Sequence, residues 1–162
     1  MVTLKRAAAV FSCLLLCICI FTGCAAGQGA ESPEALVSQM KTYTDKDIAW
    51  VELTQGEIIG YFGFEGEISH AHTALINDSE EKFDIISAFV IPEREDMLSA
   101  VEKATVSLDT AAKNFVAASG TEAEKIRSRV ILSREDTLVI VVSSNAEKIK
   151  EMLLDKGFST VA

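Results

Sequence analysis

Cysteine is absent from this chain after residue 24, because its four cysteines stand at positions 13, 17, 19 and 24. A domain formed by the later residues can therefore hold no disulfide and no thiolate metal site, and it has no cysteine nucleophile. We expect such a domain to be held together by its hydrophobic core alone.

Sequence motifs for catalysis are also missing. The chain has no glycine-rich phosphate loop, no Gly-x-Ser-x-Gly elbow and no zinc-protease helix motif. It has only two histidines. We therefore expect no cofactor, and the sequence indicates a non-enzymatic protein more strongly than an enzyme.

What the chain does have is an apolar run of 15 residues, Ala7 to Phe21, directly after Lys5 and Arg6. A membrane-spanning helix needs roughly 20 apolar residues, so this run is short for a span and typical of a secretory signal peptide. Residues 1–23 are predicted to be that signal. Ordinary secretion with a later cleavage, or an uncleaved anchor, are the alternatives.

The end of the run, Phe21-Thr22-Gly23-Cys24, resembles the lipobox of bacterial lipoproteins, with Phe21 where leucine is usual. The resemblance implies that Cys24 becomes the new N-terminus and carries the lipid, palmitate among its acyl chains. Two acyl chains anchor stably, at about 0.8 kcal/mol per buried CH₂. The predicted location is the extracytoplasmic face of the cell membrane.

The charge balance excludes some partners. The full chain carries 15 basic and 24 acidic residues, and removal of Lys5 and Arg6 with the signal shifts the net charge from −9 to −11. Such a chain is a poor partner for nucleic acid and is repelled by anionic lipid surfaces. The lipid on Cys24, and not charge, is therefore expected to hold the protein at the membrane.

Residues 24–31 are small and polar and are predicted to form a flexible tether, and residues 32–162 a single domain. The predicted fold is α/β (α+β), a two-layer sandwich with a mainly antiparallel four-stranded sheet in the order α-α-β-β-α-β-β-α. Helices are expected at Ser32–Lys41, Thr54–Phe62, Glu93–Ala118 and Asn145–Lys156, and strands at His72–Ile76, Asp84–Ile91, Ile126–Ser133 and Thr137–Ser143.

Two of these strands, Asp84–Ile91 and Thr137–Ser143, are apolar at nearly every position, which is typical of strands buried on both faces. We expect the helices Glu93–Ala118 and Asn145–Lys156 to cover one face of the sheet. The N-terminal helices, or a partner protein of the cell envelope, would then cover the other.

Three segments carry a family resemblance: Ile59 to Gly63, Asp84 to Ile91, and Leu138 to Lys148. In these segments the chain resembles the bacterial domain-of-unknown-function family 4358, over about Glu34 to Gly157. The resemblance implies a lipoprotein with a small α/β domain and implies no activity.

Lys125, Arg127 and Arg129 form the one basic cluster of the acidic sequence. On the predicted strand they alternate with apolar residues and share the solvent face. Such a row could bind a phosphate or carboxylate, or it could protect a sheet edge from pairing with another chain. On this placement the three side chains lie outside the core, and their replacement is expected to cost little stability.

His70 and His72 would share one face of a strand, as two metal ligands or catalytic groups would. We interpret the two histidines as a solvated strand start instead, and no metal site is predicted. Trp50 is interpreted as a packing residue.

The expected function is a non-enzymatic binding or protein-interaction module of the cell envelope. The alternative is an envelope hydrolase or other enzyme that uses carboxylates with His70 or His72.

Overall fold

The computed structural model describes residues 31–68, 70–79, 81–116 and 119–161. Ser32 to Ala162 form one compact unit. The predictions for the signal peptide and for the lipid on Cys24 lie outside the described residues, as does nearly all of the tether.

The described residues form five helices and five strands. Only one helix exceeds ten residues, and the sheet strands are short. The helices are α1 (Pro33–Lys41), α2 (Gln55–Phe62), α3 (Arg94–Phe115), α4 (Gly120–Arg127) and α5 (Ala146–Asp155), and the strands are β1 (Val51–Glu52), β2 (His72–Asp78), β3 (Phe83–Val90), β4 (Val130–Arg134) and β5 (Thr137–Val142).

The sheet is antiparallel throughout, with the strand order β1-β2-β3-β5-β4. The mixed α/β class and the antiparallel sheet are as predicted, but the prediction of four strands was wrong. The additional strand is β1, which pairs Val51 with Ile76 at the edge of the sheet. Two residues are too few to show the period-2 pattern by which strands are recognised.

Apolar cores lie on both faces of the sheet. Ile85 and Phe89 of β3 face a core shared with α2, α3 and α4, and Ile86 and Ala88 face a core shared with α1 and α5. The domain therefore has three layers, and the predicted two-layer sandwich was wrong. The prediction that α3 and α5 cover the same face was wrong as well, whereas the burial of β3 and β5 on both faces is confirmed.

Local capping explains where the first helices begin and end. The Ser32 hydroxyl accepts the N–H of Ala35 at 3.2 Å, with proline at the first helical position. Thr54 and Glu57 form a reciprocal capping box at α2. Gly63 ends α2 at φ 73°, a left-handed conformation that glycine adopts without a Cβ penalty. Both helices were predicted with these caps.

The segment predicted as strand Ile126–Ser133 begins instead with the end of a helix. Ser119 caps α4 by accepting the N–H of Glu122 at 3.2 Å, and Ala123 and Ile126 are buried at helical spacing. The run of alternating residues around Ile126 is too short to distinguish the two-residue period of a strand from the 3.6-residue period of a helix. The element order is therefore α-β-α-β-β-α-α-β-β-α.

Two smaller differences concern helix ends. Asn145 precedes α5 as predicted, but its side chain makes no capping bond and donates to Asp45 Oδ1 at 3.4 Å. Helix α3 ends at Phe115, and the last two residues of the predicted span lie outside the described residues.

Candidate functional site

The structure separates the three basic residues that the sequence placed in one row. Lys125 and Arg127 lie in the last turn of α4, and Arg129 lies in the link to β4. The strand placement was therefore wrong, and with it the shared solvent face on which both the anion-binding and the edge-protection hypotheses depended.

Each of these cations instead contacts a carboxylate of its own domain. Lys125 Nζ lies 2.9 Å from Asp84 Oδ1, Arg129 Nη1 lies 2.7 Å from Asp109 Oδ1, and Arg127 Nη1 lies 3.7 Å from Glu124 Oε2.

Lys125 belongs to a shielded polar cluster. Its Nζ also lies 2.8 Å from Glu122 Oε2, and the same oxygen accepts the N–H of Phe83 at 3.0 Å. The side chains of Lys125 and Asp84 are 13% and 4% exposed. These bonds attach α4 to the start of β3, which is a structural role.

His70 and His72 do not form a metal centre with the described residues. His72 opens β2, its Nδ1 lies 3.0 Å from the carbonyl oxygen of His70, and its ring stacks on Phe89 at 6.4 Å. Across the described ranges, no group of three or more histidine, cysteine, aspartate or glutamate side chains could hold a metal ion. Trp50 packs, partly buried, against the core shared by α1 and α5, as predicted.

Glu67 is a buried carboxylate in the loop after α2. Its Oε1 accepts from Lys103 Nζ at 2.7 Å and from Ser99 Oγ at 2.9 Å, and its Oε2 accepts the N–H of Gly66 at 3.1 Å. Burial acts to raise the pKa of Glu67, but these hydrogen bonds outweigh it and lower the pKa to about 2. The ionised group fixes the loop after α2 to α3.

A groove of about 420 Å³ lies between α2, α3 and the start of β3. We call it the α2–α3 groove. Its lining contains neither His70 nor His72. The floor is apolar and consists of Phe83, Ile85, Leu108, Ala111 and Phe115.

The rim of the α2–α3 groove is polar but uncharged, and it consists of Gly60, Tyr61, Ser107, Thr110 and Asn114. Ser107 Oγ donates to the carbonyl oxygen of Tyr61, and Thr110 Oγ1 donates to that of Val106 at 2.9 Å. Both hydroxyl hydrogens are used in these bonds, so the two oxygens present lone pairs. Val106 itself is 60% exposed beside this rim.

The groove exists because α2 is short. It ends with Phe62 packed edge-on against Phe89 at 5.9 Å, so it covers the end of β3 that lies far from Phe83. A Cβ built on Gly60 would meet no atom within 4 Å, which leaves the wall open at that position. A glycine inside a helical pattern was the one sequence signal for this feature.

Comparison of the chain with protein-family models, with curated proteins and with solved structures found no match. None of the helices in the described part of the chain has both the length and the apolar character that a membrane span requires.

Proposed function

We propose that the protein is a bacterial lipoprotein anchored to the extracytoplasmic face of the cell membrane, with a folded unit that acts as a non-enzymatic binding module. The observation that carries the anchor is Cys24, which follows Gly23 at the end of a signal-like apolar run. The compact unit begins at Ser32, a few residues after Cys24. Membership of domain-of-unknown-function family 4358 is part of this proposal.

The binding role is supported by the chemistry of the described surface. The α2–α3 groove has an apolar floor and a neutral rim, which suits binding better than acid–base catalysis. The buried carboxylates Glu67 and Asp84 are both held in ion pairs within the domain. Neither is placed to transfer a proton to a ligand in the groove.

Replacement of Cys24 tests the anchor. In a bacterial host given labelled palmitate, we expect the full chain to take up label and to fractionate with membranes, and Cys24→Ser to take up none. Cys19→Ser is the matched control, because it removes a thiol from the apolar run and leaves the lipobox intact. Label retained by Cys24→Ser, or lost equally from both variants, would contradict the assignment of Cys24.

A further inference from the structure

We infer that the α2–α3 groove binds a small, uncharged, flat and largely apolar molecule that carries a hydrogen-bond donor. This inference deepens the binding role proposed above and does not depend on the lipid anchor. It follows from the size of the groove, from the charge of its lining and from the hydrogen-bonding state of its rim.

The size and the floor fit a compact aromatic ligand. A volume of about 420 Å³ falls within the range of roughly 300–1,000 Å³ that is typical of small-molecule sites. The rings of Phe83 and Phe115 lie 5.8 Å apart at a tilt of 58°, and aromatic ligands pack favourably against rings of this kind. Ile85, which is fully buried, supports the floor from below.

The charge of the lining excludes an ionised ligand. None of the described residues that line the groove is charged, although the chain carries a net charge of −9. An anion would be repelled by the overall field and would find no cation there. A cation would lose water without gaining a carboxylate partner among these side chains.

The rim specifies a donor on the ligand. Ser107 and Thr110 use their hydroxyl hydrogens on backbone carbonyls, so towards the groove they can only accept. Asn114 is exposed at the same rim, and its amide can both donate and accept. A ligand with an N–H or O–H group is therefore matched to this rim.

Two probes with one carbon skeleton test the inference. N-phenyl-2-naphthylamine is neutral with a single N–H, and 2-anilinonaphthalene-6-sulfonate adds a negative charge to the same rings at a position remote from the N–H. Each is titrated into the full chain while the methyl NMR signals of Ile85 and Leu108 are observed, with Ile149 in the core of the opposite face as reference. We expect the neutral probe to shift the groove methyls saturably, and the sulfonate to bind at least about tenfold more weakly.

Two glycines of α2 supply matched variants. Gly60 borders the groove and Gly56 does not, and a Cβ on either would meet no atom within 4 Å. We expect Gly60→Leu to weaken binding of the neutral probe at least about tenfold and Gly56→Leu to leave it unchanged. Unaltered Ile149 signals show that both variants fold.

Three results would overturn the inference: no saturable shift at Ile85 and Leu108, equal binding of the two probes, or equal effects of the two leucine variants. Palmitate labelling tests only the lipid on Cys24, and the probe titrations test only the groove. Failure of the anchor proposal can therefore be distinguished from failure of the groove inference.

Discussion

Lys125 and Asp84 are 41 residues apart in the sequence, and Lys125 Nζ lies 2.9 Å from Asp84 Oδ1. The pair joins the last turn of α4 to the start of β3. It is shielded from water, and the lysine also contacts Glu122 at 2.8 Å. A residue whose sequence context indicated a solvent-facing strand therefore serves inside the fold.

The first prediction concerns Lys125→Met. This change leaves the carboxylates of Asp84 and Glu122 without their cation, and breaking a shielded pair from one side costs about 3–5 kcal/mol. Because Glu122 still accepts the N–H of Phe83, we expect the free energy of unfolding to fall by about 3 kcal/mol, near the lower end of this range. Urea denaturation at pH 7 measures this change.

Arg127→Met is the matched control, since Arg127 lies two residues further along the chain and its side chain is 49% exposed. We expect its free energy of unfolding to change by no more than about 0.5 kcal/mol. If the two methionine variants proved equally stable, Lys125 would lie on the surface, as the sequence suggested.

The second prediction is a pH dependence that originates at Glu67. Its pKa in the folded state, about 2, lies below the ordinary value of 4.5, so protonation favours unfolding. The stabilisation is complete above pH 4.5 and is lost as the pH falls towards 2. At about 1.4 kcal/mol per pKa unit the stabilisation amounts to at most about 3.5 kcal/mol, and to less because Lys103 is 38% exposed and its charge is screened by solvent and salt.

Glu67→Gln should therefore be less stable than the parent at pH 7, and the difference should shrink as the pH approaches 2. Urea denaturation at pH 7, 4.5 and 2.5 follows this convergence. Glu151→Gln, an exposed change on α5, should leave the pH dependence unaltered. A Glu67→Gln curve parallel to that of the parent would show that the carboxylate is not held ionised.

The sequence predicted those parts of the fold that depend on neighbouring residues. The caps at Ser32 and Thr54 and the left-handed Gly63 are local, because each is made within a few residues. The uninterrupted apolar pattern of β5 is local too, and it specified burial on both faces. At Ile126 the local patterns conflicted, since a strand and a short amphipathic helix both fit the few residues around it.

The remaining features of the fold and of the groove depend on contacts between residues that are far apart in the sequence. An antiparallel hairpin followed by a helix does not specify which face of the sheet the helix will cover, so α5 could not be placed opposite α3 beforehand. The α2–α3 groove likewise needs Gly60 brought beside Thr110 and above Ile85. The Glu67–Lys103 pair spans 36 residues and has no sequence motif.

The last prediction compares a glycine inside α2, Gly60, with the glycine that follows its last residue, Gly63. Gly63 has φ 73°, and a Cβ there would approach nothing closer than 4.0 Å, so only backbone strain opposes a side chain. Gly60 lies inside α2 with open space around it. We expect Gly63→Ala to lower the free energy of unfolding by about 1–2 kcal/mol and Gly60→Ala to raise it by about 0.5–1 kcal/mol. Urea denaturation of both variants measures the two changes, and shifts of the same sign would mean that α2 does not end at Gly63.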